Sequence, residues 1–149
     1  MQRTIQEQLI LNAPPEKVYE LWTTEQGLKS FFAPKCKIEI KPFGAFEMYF
    51  LLNNEYGEQG SEGCKVLSFV PNRMLSFTWN APPHLPIARK ELSSIVVIFF
   101  YDAGDGKTKL ELINHGYPEG GEFDLALEYF KKAWPQVLES LRKNMNDNK

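Results

Sequence analysis

The sequence predicts an α+β fold in which a curved antiparallel sheet of about seven strands wraps around one long C-terminal helix. Strand-like runs joined by tight turns fill most of the chain, a pattern typical of antiparallel pairing. Between about Glu122 and Met145, apolar residues then recur at steps of three and four, which indicates a helix with one buried face. A helix that follows such strands is expected to pack against one side of their sheet.

The predicted C-terminal helix has the clearest periodicity in the chain. Its other side is charged and carries the i,i+4 pairs Glu128–Lys132 and Glu139–Lys143, each contributing about 0.2–0.5 kcal/mol. Pro135 cannot donate a backbone hydrogen bond inside the helix, so we expect a kink close to the preceding residue. The apolar stripe consists of Phe123, Leu127, Phe130, Trp134, Val137, Leu141 and Met145.

The remaining elements follow from alternation and from turn residues. Two short helices are predicted after the first strand, the first of them beginning at the proline pair Pro14-Pro15, where a missing N–H is harmless. The segment 81–90 contains three prolines and is predicted to be an irregular connecting loop that covers part of the fold. The predicted strands span 4–12, 35–41, 46–50, 64–70, 74–80, 93–102 and 107–114.

The strand predicted at 93–102 is nearly all apolar. We assign Phe99 and Tyr101 to its inner face, towards the helix, which leaves an outward row formed by Val96, Ile98 and Phe100. Because exposed apolar rows usually mark interfaces, this row predicts a homodimer or another protein contact. The alternative is that a bulge interrupts the alternation or that a neighbouring loop covers the row.

Composition limits the class of protein. The chain has 149 residues, of which 43% are hydrophobic, and a formal net charge of −2. These values predict one domain over residues 1–149, with a frayed tail at 145–149, and give no general attraction to nucleic acid. No apolar run is long enough for a membrane span, and no signal-peptide core is present, so we expect a cytoplasmic protein. In a reducing cytoplasm, Cys36 and Cys64 are expected to be buried free thiols, and the alternative is a disulfide between them.

Four short stretches carry a resemblance to a known family. They are 13–22 (APPEKVYELW), the turn 42–46 (PFGAF), Pro71 followed by Leu75 and Trp79, and Thr108 with 114–117 (NHGY). Together they resemble the activator of heat-shock-protein ATPase homologue family. That family belongs to the START-like, helix-grip superfamily, which also contains polyketide cyclases and lipid-transfer proteins. In this chain Phe43 and Ala133 stand where the family usually has glycine, and Asn114 stands where many members have histidine.

The resemblance implies an apolar ligand cavity between the sheet and the C-terminal helix. The alternative is that the inward side chains simply fill the core. Asn114 either orients a ligand or caps the chain that leaves its strand, and Glu7 either acts as a buried acid or base or reaches solvent. The candidate ligand-binding residues are Phe46, Met48, Phe50, Phe77, Trp79, Phe99, Tyr101, Leu112, Asn114, Phe123, Leu127, Phe130 and Trp134.

Motifs for other chemistry are missing from the sequence. His84 and His115 lie far apart, without cysteine or carboxylate neighbours at ligand spacing, and no phosphate-binding or dinucleotide-binding motif occurs. We therefore predict no metal, no cofactor and no catalytic residues. The predicted function is the binding of a small hydrophobic molecule. The alternatives are a cyclase- or aromatase-like enzyme and a protein-interaction module related to chaperone ATPase activation.

Overall fold

The computed structural model describes residues 3–147 of the chain. Those residues form seven strands and four helices. In chain order they are β1 Arg3–Leu11, α1 Pro15–Thr23, α2 Glu25–Phe31, β2 Lys35–Ile38, β3 Phe46–Tyr49, β4 Val66–Val70, β5 Met74–Trp79, α3 Pro86–Glu91, β6 Ser94–Gly104, β7 Lys107–Tyr117 and α4 Gly121–Asp147.

The strands are antiparallel and divide into two sheets. Five strands pair in the order β1-β7-β6-β5-β4, and β2 pairs with β3. Single bridges, Ala45 with Lys65 and Tyr49 with Gly60, connect the two-stranded sheet to the segment that leads into β4. The long α4 packs on one side of the larger sheet, against β1 and β7. The predicted α+β helix-grip fold, with two short helices after the first strand, is confirmed.

The two short helices begin where the sequence predicts them. Pro15 occupies the first turn of α1, directly after Pro14. The Thr24 hydroxyl accepts a hydrogen bond from the amide of Gly27 at 3.0 Å and so caps α2. An added Cβ at Gly27 would lie 2.5 Å from the backbone of Leu21, so the close approach of α1 and α2 requires glycine there.

The inward and outward faces of β6 are the reverse of the prediction. Val96 and Ile98 are fully buried, and Phe100 makes an edge contact with the ring of Tyr19 in α1 at 5.5 Å. Tyr101 is 45% exposed on the opposite face. The predicted interface row of Val96, Ile98 and Phe100 is therefore core, and the prediction that it is exposed is wrong.

Phe99 and Tyr101 lie together on the outer face of the sheet. Their rings stack at 5.9 Å, and the Lys109 ammonium lies 5.8 Å from the Tyr101 centroid. Both were predicted to face the helix. The physical reason for the error is that β6 is apolar on both faces, so alternation within this strand carries no signal of which side is buried.

The segment 81–90 is not wholly irregular, because Pro86–Glu91 forms the short helix α3. Pro86 occupies its first turn, where a proline costs no hydrogen bond. The Glu122 carboxylate of α4 accepts hydrogen bonds from the amides of Ile87 and Ala88, at 2.8 and 3.0 Å. A partner distant in sequence thus caps α3, which sequence alone did not reveal.

The end of α4 extends into the predicted tail. Residues 145–147 belong to the helix and Met145 is buried, and the predicted fraying of the tail stays a prediction. Residues 148 and 149 lie outside the described residues. Pro135 lies inside α4, and the predicted kink at this point stays a prediction.

Phe43 has an unfavourable backbone conformation that yields a stability prediction. Its φ is +63°, and its side chain is 71% exposed, so little packing offsets the strain. We expect Phe43→Gly to raise the free energy of unfolding by about 1 kcal/mol, measured by urea denaturation. Phe43→Ala is the matched control, since it removes the ring but keeps the Cβ, and its stability should stay close to wild type. Equal gains from both variants would contradict the backbone explanation.

Candidate functional site

A cavity of about 680 Å³ opens where β5 ends against α4. Four segments enclose it: the end of α2, the loop over residues 50–61, residues 79–84 after β5, and the face of α4 between residues 129 and 140. The cavity therefore lies at one end of the helix–sheet layer. Buried side chains fill the space between the rest of the sheet and α4.

Aromatic rings form most of the inner wall. The ring of Phe32, at the C-terminal end of α2, lies 5.7 Å from Trp79, 5.8 Å from Trp134 and 6.0 Å from Phe50, measured between centroids. Trp79 and Trp134 lie 5.1 Å apart, and Phe130 is 6.1 Å from Trp79. Such a set of packed rings presents a rigid apolar surface to a ligand.

Four of the predicted ligand-binding residues line this cavity: Phe50, Trp79, Phe130 and Trp134. Phe99 and Tyr101 lie on the other side of the sheet and do not line this cavity, so the prediction that they face the helix is wrong. Phe123 is half-buried against the core and does not line the cavity. The others are buried core residues outside the cavity lining: Phe46, Met48, Phe77, Leu112, Asn114 and Leu127.

Core packing explains why these inward residues do not line the cavity. Phe46 of β3 and Phe77 of β5 stack with ring centroids 3.9 Å apart, which leaves no gap between the two sheets at this level. Both residues are fully buried. For them, the alternative that inward aromatics fill the core describes the structure.

Asn114 is the hydrogen-bonding centre beneath the cavity wall. Its Oδ1 accepts from the Trp134 indole Nε1 at 3.0 Å and from the Tyr117 hydroxyl. Its Nδ2 donates to the Ser94 hydroxyl and to the carbonyl of Ile95, both at 3.2 Å. Burial raises the pKa of Tyr117, so this phenol stays protonated and remains a donor. Asn114 thus joins helix α4 to strands β6 and β7.

Several lining residues were missing from the predicted site. Ala133, Val137 and Ser140 follow Phe130 at steps of three and four, so all four residues share one face of α4. Their small size beside large rings is a signal that could have located the cavity on this helix. Phe31 and Phe32 gave no such signal, because the packing of α2 against α4 depends on tertiary structure.

The loop that forms one wall is held by Glu62. Its buried carboxylate accepts hydrogen bonds from the amides of Gly57, Gln59 and Gly60 at 2.5–2.8 Å. The Arg89 guanidinium of α3 lies 3.2 Å from the same carboxylate and also donates to the carbonyl of Gly57 at 2.7 Å. Burial acts to raise the pKa of Glu62, but the amide hydrogen bonds outweigh it, and the pKa is lowered from its ordinary value.

A second buried carboxylate, Glu47 of β3, supports the same loop. It accepts from the hydroxyls of Tyr49 and Tyr56, at 2.6 and 2.7 Å, and from the amide of Gly63 at 3.1 Å. Burial would raise its pKa, but the hydrogen bonds from the two tyrosines and from Gly63 lower it. Both carboxylates are therefore charged near neutral pH and act as hydrogen-bond acceptors that fix the loop.

The titratable residues considered from the sequence are not assembled into a reactive site. Glu7 is half-buried in β1 opposite Leu112 and does not line the cavity. His84 lines the rim, where its ring lies 5.4 Å from that of Tyr129. Within residues 3–147, no group of three or more His, Cys, Asp or Glu residues is placed to hold a metal ion. Cys36 and Cys64 are both buried as free thiols.

This architecture defines a START-like helix-grip protein: a curved antiparallel sheet, two short helices and a long closing helix, with a cavity at one end of that helix. The family model for activator of Hsp90 ATPase homolog 1-like protein matches residues 12–146. The chain belongs to this family, as its resemblance predicted.

Solved structures share the fold at low sequence identity. MLL2253 from Mesorhizobium loti is 23% identical, with 99% of each chain covered and a TM-score of 0.78. CalU16 from Micromonospora echinospora is 21% identical over 97% of this chain and 76% of that one, with a TM-score of 0.72. Aha1 from Colwellia psychrerythraea, solved as a dimer in solution, is 17% identical over 96% of each chain, with a TM-score of 0.68. No curated protein matches the sequence.

No helix within the described part of the chain is both long enough and apolar enough to cross a bilayer.

Replacing Asn114 tests its role as the anchor of α4. Asn114→Ala leaves the Trp134 indole N–H, the Tyr117 hydroxyl and the Ser94 hydroxyl without this partner, so we expect a loss of about 3 kcal/mol in the free energy of unfolding. Tyr117→Phe removes a single donor and should cost about 1 kcal/mol. Urea denaturation compares the two variants. A cost for Asn114→Ala no larger than that of Tyr117→Phe would refute the anchoring role.

The hydrogen bonds of Glu62 predict a pH dependence. Because its pKa in the folded protein lies below the ordinary value of 4.5, the carboxylate stabilises the fold above that pH, and the stabilisation is lost as the pH falls through the folded-state pKa. Glu62→Gln should lower the free energy of unfolding by about 2 kcal/mol at pH 7 and by less in acid.

Thermal unfolding from pH 7 to pH 3 measures this difference. Glu58→Gln is the control, because Glu58 lies in the same loop with an exposed side chain, and its curve should follow that of the wild type. A constant gap between Glu62→Gln and wild type at every pH would show that the loop does not depend on the charge.

Proposed function

We propose that this protein binds a small hydrophobic molecule in the cavity formed by α2, α4 and the two loops over residues 50–61 and 79–84. The observation that carries the proposal is a volume of about 680 Å³ walled by aromatic rings. Ligand pockets typically measure about 300–1,000 Å³ and are mainly apolar. The START-like fold supports either a ligand-binding or an activator-type module.

The energy of binding in such a site comes from burial. If a ligand buries about 300 Å² of apolar surface, the transfer contributes about 7 kcal/mol at 25 cal/mol per Å², before the loss of motional freedom is counted. That transfer alone would correspond to a dissociation constant of about 10 μM, and the loss of motional freedom makes the expected affinity weaker than this value. The hydrogen-bonded loops reduce the entropic cost of binding, because they form the cavity wall before the ligand arrives.

A non-catalytic role is supported by the groups in the wall. The described lining residues include one carboxylate, Glu58, and one imidazole, His84, and both side chains are exposed at the rim. The buried carboxylates Glu47 and Glu62 are engaged in hydrogen bonds with the protein itself. Glu7 and Asn114, which would have served an enzyme of the cyclase type, lie outside the cavity.

The activator-type role is the second proposal, favoured by the family and by the dimeric structure of the Colwellia protein. The surface predicted to serve as the interface for this role is not exposed, since Val96, Ile98 and Phe100 are buried under the helices. Any partner would have to contact a different surface. The ligand proposal is the stronger one because a formed cavity supports it.

Filling the cavity tests the proposed function. Ala133 is half-buried in the cavity wall, so Ala133→Trp should occupy the space and weaken binding of the neutral probe N-phenyl-1-naphthylamine at least about tenfold. Probe fluorescence during titration gives the affinity, and circular dichroism checks the fold. Lys132→Trp introduces the same side chain at the neighbouring exposed position and should bind as the wild type does. Equal probe affinity in both variants would exclude this cavity as the binding site.

A further inference from the structure

We propose that the ligand is a neutral aromatic compound bearing a hydrogen-bond acceptor, such as a ketone oxygen. This oxygen would accept a hydrogen bond from the indole N–H of Trp79. This inference rests on the proposed function and specifies the chemical class of the ligand. Three properties of the site carry it: a buried donor without a partner, a wall of rings, and the charge of the lining.

Trp79 supplies the donor. It is the last residue of β5, lines the cavity and is only 4% exposed. Its Nε1 is buried and has no hydrogen-bond acceptor among the described residues. Buried N–H groups are nearly always hydrogen-bonded in folded proteins, because an unpaired one loses its hydration without compensation. The nitrogen itself has almost no accessible surface, so a ligand oxygen would reach it through a small shift of the surrounding rings and would then supply the acceptor.

The other two tryptophans show that this situation is specific to Trp79. The Trp134 Nε1 also belongs to a cavity-lining residue, but it donates to Asn114 at 3.0 Å. The Trp22 Nε1 is buried without a partner, but Trp22 does not line the cavity. Among the three indoles, Trp79 alone combines a free donor with a place in the wall.

The surrounding rings favour an aromatic ligand. Phe32, Phe130 and Trp134 lie 5.1–6.1 Å from the Trp79 ring, with interplanar angles of 42–64°. These tilted faces and edges match the arrangements in which aromatic rings attract one another. A rigid ring system also loses little conformational freedom on entering a preformed cavity.

The charge of the lining favours a neutral acceptor over a carboxylate. Glu58 lies at the rim, and no lysine or arginine is among the described lining residues. Arg89, in nearby α3, is directed to the carbonyls of Gly57 and Ala81 and to Glu62. An anionic ligand would therefore lose hydration without gaining a lysine or arginine partner.

A matched set of probes tests the inference on the intact protein. Fluorene and 9-fluorenone share one tricyclic skeleton and differ by the ketone oxygen, and 9-fluorenone-4-carboxylate adds a negative charge. Competition against N-phenyl-1-naphthylamine gives the three affinities. We expect fluorenone to bind about three- to tenfold more tightly than fluorene, and the carboxylate to bind more weakly than fluorenone.

Trp79→Phe removes the donor and keeps an aromatic ring. The preference for fluorenone over fluorene should fall to about one in this variant, whatever the change in overall affinity. In ¹⁵N-labelled wild-type protein, fluorenone should also move one of the three indole N–H resonances downfield to a hydrogen-bonded position, and this resonance should be that of Trp79. This measurement decides the question even if the variant does not fold, because nuclear Overhauser contacts assign the resonance.

The possible failures are distinguishable. Equal affinities for fluorene and fluorenone in the wild type, or a preference that survives in Trp79→Phe, would overturn the acceptor inference and leave the proposed function intact. Binding of the carboxylate as tight as that of fluorenone would overturn the neutrality of the ligand. If none of the probes binds, the proposed function fails and this inference fails with it.

Discussion

The structure depends on the hydrogen bond from the Trp134 indole to the buried side chain of Asn114. Asn114 sits in β7 opposite Val96 of β6, and Trp134 lies near the middle of α4, so this contact fixes both the height and the rotation of the helix on the sheet. A polar group buried this deeply must be satisfied, and the helix position that satisfies it also places Trp134 beside Trp79. The cavity wall is a consequence of that constraint.

Polar contacts of the loops keep the space beside this wall open. Apolar packing alone would favour collapse of the loop over residues 50–61 onto the rings. Glu62 and Arg89 instead hold the loop through its backbone amides and carbonyls, and Glu47 binds Tyr56 of the same loop. The charged groups near the cavity thus fix the loop that forms one wall, and the aromatic rings form the inner wall.

The sequence predicts the elements well because each carries its own periodicity, and it fails where a decision requires two elements at once. The face of β6 is the clearest case. Alternation gives no answer within this strand, but β7 is polar on one side, and the hairpin between them pairs Ile98 with Leu112 and Phe100 with Leu110. Leu110 and Leu112 are both buried on the inner face of β7, so pairing across the turn would have turned Phe100 inward as well.

The same limit explains why the site was predicted only in part. In the sequence, Trp79 and Trp134 are equivalent: each is a large amphipathic residue on the inner face of its element. Their roles diverge because β7 supplies Asn114 as an acceptor to Trp134, while the residues around Trp79 supply rings and leave its N–H unpaired. Local pattern can identify residues able to line a cavity. Whether the polar atom of each side chain finds a hydrogen-bond partner in the protein is decided by residues that are distant in the chain.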